Sequence, residues 1–178
     1  MIRQCMPPER AAGQRLGSGF SLVEAMIATF LVGLGVASVM VATKSATEVN
    51  AAGRQITQST YLAQEIREWT LKLPFSDPDP GDGDNPPGPD GTDPQDFVDD
   101  LDDLMDVTYS PPRDGCGQVI GDMVGWSQHI SLEWKDPDSL CTTVTPGATD
   151  VIRVTVTIAL HGRDVLTTGW LGTRRVSE

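Results

Sequence analysis

The sequence predicts an α+β protein in which a long N-terminal helix packs on a small antiparallel β-sheet. Two observations carry this prediction. An almost continuous apolar run, Phe20–Ala42, leads into a helical pattern that lasts until Pro74. In the last third of the chain, apolar and polar residues alternate in two segments, which is typical of strands with one buried face.

The apolar run is long enough to cross a membrane. Its 23 residues form about 34 Å of helix, and the hydrocarbon core is about 30 Å thick. A secretory signal is the competing interpretation, but its apolar region has only about 7–15 residues and ends at a small-residue cleavage site. Arg3, Arg10 and Arg15 precede the run, so the N-terminus is predicted to be cytoplasmic and the rest of the chain to lie outside.

One carboxylate, Glu24, interrupts this apolar segment. An ionised group at mid-helix costs on the order of 2.5–3.5 kcal/mol on insertion scales, and less near the interface. Glu24 is only about 6 Å along the helix from Phe20, so its side chain could reach the lipid headgroups. The other explanation is that Glu24 pairs with a positive group that another molecule supplies.

The residues GFSLVE, Gly19–Glu24, follow a basic leader and precede the apolar run. This arrangement resembles the N-terminal signature of type IV prepilins and type II secretion pseudopilins, over roughly residues 1–75. The resemblance implies that a membrane prepilin peptidase cuts between Gly19 and Phe20 and methylates the new amine of Phe20. It also implies that Glu24 pairs with the N-terminal amine of a neighbouring subunit during fibre assembly.

From this resemblance we expect a pilin-like fold and a structural minor subunit of a type IV pilus, of the pilus modification type. A minor pseudopilin of a type II secretion system is the alternative, and a membrane-anchored extracytoplasmic enzyme is a remote one. The implied partners are the prepilin peptidase, other pilin or pseudopilin subunits and the inner-membrane assembly platform. The expected location is the inner membrane, with a periplasmic C-terminal domain, and later the fibre at the cell surface.

The expected organisation starts with a leader, residues 1–19, and an assembly helix, residues 20–42. Residues 43–73 are predicted to extend the helix onto the globular domain. Positions three and four apart form a narrow, partly apolar stripe there: Val49, Ala52, Ile56, Ser59, Ala63, Ile66, Thr70 and Leu73. We expect the sheet to cover this stripe, since a coiled coil would need more strongly apolar positions.

Residues 74–96 are rich in Pro, Gly and Asp, and they predict an irregular acidic loop. Four closely spaced side chains in it are candidate calcium ligands: Asp77, Asp79, Asp82 and Asp84. Some type II pseudopilins hold calcium in a loop. The EF-hand spacing is absent, however, because prolines intrude and the closing Glu is missing. A solvated loop is therefore favoured, and no other cofactor is predicted.

Residues 97–178 are predicted to form the globular domain. A short amphipathic helix is expected first, capped by Asp93 with Pro94 at its first position. Its apolar face would consist of Phe97, Val98, Leu101, Leu104 and Met105, and its water-facing side of Asp99, Asp100, Asp102, Asp103 and Asp106. The alternating segments WSQHISLEWK and DVIRVTVTIAL predict strands, and Gly162 predicts a turn into a hairpin partner.

Cleavage would remove Cys5 and leave Cys116 and Cys141. In a domain outside the inner membrane, where thiols oxidise, this pair predicts a disulfide. The bond would close a loop of 26 residues and stabilise the fold by about 3.5 kcal/mol. Two free buried thiols are the alternative.

Composition and motifs exclude several classes of function. The net charge of −12 argues against nucleic acid as a partner, since phosphate contacts need clustered Lys and Arg. The two histidines have no metal-ligand spacing with the cysteines. No nucleophile elbow, P-loop or dinucleotide-binding sequence is present, so we expect no catalytic residues and no enzymatic activity.

Overall fold

The chain contains one long helix, as the sequence predicts. A computed structural model describes residues 21–77, 87–89 and 98–174. Helix α1, Leu22–Lys72, has 51 residues. The chain divides into two compact units, of which one ends at Glu48 and the other begins at Val49. Helix α1 stops just before Pro74, whose ring nitrogen has no hydrogen to donate.

The unit that begins at Val49 contains a five-stranded antiparallel sheet. Its strands are β1 Val107–Tyr109, β2 Trp126–Asp136, β3 Ser139–Thr143, β4 Val151–Leu160 and β5 Arg163–Thr173. The spatial order is β1-β2-β4-β5, and β3 pairs with the C-terminal end of β2. This confirms the predicted α+β architecture.

A tight turn joins β4 to β5, as Gly162 indicates. Leu160 pairs with Arg163, so the connection consists of His161 and Gly162 alone. Both residues have positive φ, 50° and 74°. A two-residue turn with both φ positive matches the right-handed twist of the flanking strands, and glycine adopts this conformation without steric cost.

The predicted alternation in β2 and β4 is confirmed. The inward side chains of β2 are Trp126, Gln128, Ile130, Leu132 and Trp134, and those of β4 are Ile152, Val154, Val156 and Ile158. Five of them are completely buried: Gln128, Ile130, Ile152, Val156 and Ile158. Because successive side chains of a strand point to opposite faces, a shift of one residue would expose this entire core.

The prediction for the helix stripe is confirmed only in its C-terminal half. Val49, Ala52 and Ile56 are exposed, whereas the face from Ser59 to Thr70 is buried against the sheet. The sequence stripe also missed two core residues, whose exposed fractions are 0% for Leu62 and 7% for Trp69. The buried face of α1 is therefore shorter and wider than the spacing of apolar residues predicted.

The predicted short helix was wrong in the part that the structure describes. Its proposed start, from Asp93 to Phe97, lies outside the described residues. Beyond it, the chain makes only a three-residue 3₁₀ turn, Asp102–Leu104. Leu101 and Leu104 are buried, as expected. The prediction that the neighbouring aspartates face water was wrong for Asp100, Asp102 and Asp103, which are 4%, 4% and 1% exposed.

Candidate functional site

The first part of α1 presents apolar side chains without any cover from the described residues. Between Leu22 and Val41, every large apolar side chain is at least half exposed, from 51% at Leu34 to 76% at Leu22. Within the described part of the chain, α1 is the one helix long and apolar enough to cross a membrane. This surface could be covered by lipid or by other helices.

Hydroxyl groups within this segment find partners on the helix itself. Thr29 donates to the carbonyl of Ala25 and Ser38 donates to that of Leu34, each at 2.8 Å. Such bonds to the preceding turn satisfy a hydroxyl group where no water is present. The small polar residues therefore do not prevent the segment from lying in lipid.

Glu24 is the one ionisable residue between Ser21 and Thr43. It lies in the first turn of α1 and is exposed. Its carboxylate makes no hydrogen bond or ion pair with any residue that the structure describes. The predicted cleavage site, Gly19 and Phe20, lies outside the described residues, and so does the leader. The partly positive N-terminal end of the helix favours a negative charge here.

A second group of interest is a buried knot of carboxylates after the acidic loop, which we name the acidic knot: Asp99, Asp100, Asp102 and Asp103. Asp100 Oδ1 accepts from the backbone nitrogens of Asp102 and Asp103, at 2.9 and 3.2 Å. Asp103 Oδ2 accepts in return from the nitrogens of Asp99, at 3.0 Å, and Asp100, at 3.4 Å. These bonds explain why acidic side chains fold inward here.

The acidic knot also fixes neighbouring segments. Asp102 Oδ2 accepts from the backbone nitrogen of Gly88 at 2.6 Å, and the nitrogen of Leu101 donates to the carbonyl of Pro74 at 3.1 Å. The segment after α1 and the described piece of the acidic loop are thus tied to one place. Sequence reasoning missed this arrangement because adjacent aspartates normally indicate a solvated surface.

Burial and neighbouring carboxylates raise the pKa values of two members of the acidic knot, Asp100 and Asp99. The pKa of Asp100 rises from 3.8 to about 8, first because burial disfavours its charged form and then through its hydrogen bond with the Asp102 carboxyl. The pKa of Asp99 is also raised, by burial and by the charges of Asp103 and Asp77. At neutral pH a proton is therefore favoured on Asp100, which shares it with the Asp102 carboxyl.

The described residues offer no metal site. No group of three His, Cys, Asp or Glu side chains among them could hold a metal ion. Of the four candidate calcium ligands, only Asp77 is described, while Asp79, Asp82 and Asp84 lie outside the described residues. The calcium prediction thus gains no support from Asp77, the one described candidate ligand.

The two cysteines of the globular domain differ from both predicted alternatives. Cys116 and Cys141 are free, so the predicted disulfide is not formed, and both are exposed rather than buried. Cys116 lies in the turn after Asp114, whose carboxylate accepts from its backbone nitrogen at 2.8 Å. Its Sγ is 3.5 Å from the Nζ of Lys72 at the end of α1.

One buried polar side chain links α1, the sheet and the loop before β2. Gln128 is completely buried in β2. Its Nε2 donates to the carbonyls of Leu62 and Arg113, both at 3.0 Å, and its Oε1 accepts from the nitrogen of Arg113 at 2.7 Å. Its inward position between Trp126 and Ile130 was the signal in the sequence that could have identified it.

Comparisons of the chain with protein-family models, with curated proteins and with solved structures found no match.

Proposed function

We propose that the chain is a structural minor subunit of a type IV pilus that joins the fibre through its N-terminal helix. The supporting observation is the exposed apolar first part of α1, in which Glu24 is the one ionisable group. A fibre core made of such helices would cover the apolar side chains and bring each carboxylate near another subunit.

The chemistry of assembly rests on Phe20 and Glu24. Cleavage after Gly19 would free the amine of Phe20, and methylation keeps that amine cationic. When it reaches the Glu24 carboxylate of a neighbouring subunit, each charge gains a partner in a medium of low dielectric constant. Removing one partner of such a pair leaves the other charge buried and uncompensated, which costs about 3–5 kcal/mol in proteins. Glu24 would thus hold the helix in register within the fibre.

The domain that begins at Val49 supplies the outer part of such a subunit. Its attachment to α1 relies on the buried face from Ser59 to Thr70 and on the hydrogen bonds of Gln128. The C-terminal part of α1 is therefore an integral part of this domain.

N-terminal sequencing of the protein from its native membrane tests the first step. We expect the mature chain to begin with a methylated Phe20, and Gly19→Asp to leave it uncut. A mature chain that begins at any other residue would contradict the proposal.

Glu24→Ala tests the second step. We expect this variant to insert and to be processed normally, but to be largely lost from sheared fibres. Glu48→Ala is the matched control, because Glu48 is an exposed helix carboxylate whose one described ion pair is with Lys44. Equal incorporation of both variants would refute the pairing role. Co-purification with a secretion platform and no retractile fibre would instead assign the chain to the pseudopilins.

A further inference from the structure

A groove runs between α1 and the turn of the β4–β5 hairpin, within the unit that begins at Val49. It consists of two adjoining cavities of about 610 Å³ and 230 Å³. Both cavities are lined by Gln55 of α1 and Leu160 of β4, and the buried ring of Trp126 contributes to the smaller one. The groove is therefore one continuous feature with an apolar floor.

The rim of this groove is more cationic than the chain as a whole, whose net charge is −12. Arg54 lines the smaller cavity, and Arg163 and His161 line the larger one. Neither arginine makes an ion pair with another residue that the structure describes. Asp164 is the one acidic side chain among the lining residues. Two arginines that line one groove and form no ion pair with a described residue favour an anionic occupant.

The wall at the hairpin turn is held in place. The backbone nitrogen of His161 donates to the carbonyl of Gly125 at 2.7 Å. The imidazole packs so closely on Gly125, which has a φ of 81°, that a Cβ at this position would overlap the ring. The groove thus requires little rearrangement before it can bind, which lowers the entropic cost of association.

We propose that this groove binds the acidic segment, residues 77–96, of a second copy of the chain. The segment contains seven aspartates and no Lys, Arg or Glu. Its charge complements that of Arg54 and Arg163, and its prolines suit the apolar floor. Each copy of the chain therefore has both surfaces of the contact, the groove and the acidic segment.

The geometry shows that the acidic segment, residues 77–96, cannot reach the groove of its own chain. Gly88 is bonded to Asp102, and Phe75 stacks under the guanidinium of Arg174, just past the end of β5. The groove lies at the opposite end of the sheet, one length of β4 away. Ten residues of strand separate the two ends by about 30 Å.

The acidic segment is held near Phe75, at Gly88 and again from Val98 onward. The stretches of chain between these positions are too short to reach the groove, about 30 Å away, and return. Residues 78–86 and 90–97 are spans of nine and eight residues. A span of this length that starts and ends in one place reaches only about 15 Å outward, since an extended residue covers about 3.4 Å. The occupant must therefore come from another copy.

Such a contact joins two different surfaces of the same protein. Contacts of this kind repeat in one direction and produce rings or open helical assemblies rather than closed dimers. This inference goes beyond the proposed function, because it concerns the domain after Val49 and does not depend on cleavage at Phe20.

A photo-crosslinking experiment on the full chain in detergent micelles tests the contact. A benzophenone amino acid is placed at Gln55, and isotopically heavy and light copies are mixed before irradiation. We expect adducts that join position 55 of one copy to residues 77–96 of the other, as mapped by mass spectrometry. Their yield should fall about tenfold in the double variant Arg54→Glu/Arg163→Glu, because charge reversal makes the contact repulsive. It should also fall when NaCl rises from about 50 to about 500 mM.

The double variant Arg67→Glu/Arg153→Glu is the matched control, since it makes the same charge change outside the groove. We expect it to keep the adducts, and circular dichroism checks that each variant is folded. Four results would overturn the proposal. They are adducts within one copy, adducts to another region of the second copy, the absence of adducts, and an equal loss of adducts in the control. The position of the adduct is the readout because the apolar helices can associate in micelles by themselves. N-terminal sequencing tests the proposed function separately.

Discussion

The proton on Asp100 makes the stability of the domain depend on pH. Asp100 is 4% exposed, and its pKa rises from 3.8 to about 8 through burial and the adjacent Asp102 carboxyl. A folded-state pKa above the unfolded value means that the folded state binds the proton more tightly. The resulting stabilisation is complete below about pH 4 and is lost as the pH rises toward about 8.

Asp100→Asn removes this titration and keeps the shape of the side chain. The amide oxygen can still accept from the nitrogens of Asp102 and Asp103, and the amide nitrogen can replace the acid proton as a donor to Asp102. We therefore expect the variant and the wild type to be about equally stable at pH 4. At higher pH the variant should become the more stable protein.

The size of the effect follows from linkage. One proton changes the free energy of unfolding by about 1.4 kcal/mol per pH unit between the two pKa values. For a chain of this size, 1 kcal/mol shifts Tm by roughly 2–4 °C. The difference in Tm should therefore grow by about 3–6 °C per pH unit. This is an upper limit, because Asp102 shares the proton.

Thermal unfolding followed by circular dichroism from pH 4 to pH 8 measures this difference. Asp138→Asn makes the same chemical change at an exposed aspartate in the turn between β2 and β3, and its Tm difference should stay flat. A Tm difference for Asp100→Asn that does not change with pH would refute the argument that this carboxyl is protonated in the folded state.

Three further outcomes are expected. Gln128→Leu should lower the free energy of unfolding by about 2–4 kcal/mol in urea titrations, because buried groups of Leu62 and Arg113 lose their partner; a change below about 0.5 kcal/mol would contradict this. Ile66→Ala should lower the free energy of unfolding by about 2–5 kcal/mol, whereas Ile56→Ala, at a position 50% exposed, should lower it far less. Similar losses for the two variants would indicate that Ile56 is buried, as the sequence predicted. Alkylation without reductant should label both Cys116 and Cys141, and protection of the pair would indicate a disulfide.

The strands were predictable because one simple period determines them. In β4, Ile152, Val154, Val156 and Ile158 alternate with polar residues without interruption, and the structure buries all four. The turn was equally clear, since Gly162 supplies a conformation that few other residues adopt. Local patterns of this kind require no knowledge of distant parts of the chain.

The helix and the acidic knot required knowledge of tertiary contacts. Val49 and Ile56 continue the periodicity of α1, but the sheet does not extend over them, and no local signal marks where its cover ends. Asp100 and Asp103 suggested a solvated surface, yet their carboxylates accept hydrogen bonds from neighbouring backbone nitrogens. Composition gives the polarity of a side chain and does not give the partners that it will find.

The candidate site was predictable only in part. The position of Glu24 in an apolar helix is evident from the sequence, and the structure places it in the first turn of α1. The pairing of Cys116 with Cys141 was inferred from their number and from the expected oxidising compartment. Cysteine count and compartment do not specify whether two loops bring the thiols within bonding distance.

The short turn between β4 and β5 has a consequence for the order of folding. Closing a connection of two residues costs little chain entropy, so this hairpin can form from local contacts alone. The bond from Gln128 to Leu62 instead joins residues 66 apart in the chain. Folding of the domain is therefore expected to begin near the C-terminus, and the docking of the helix would be a late step.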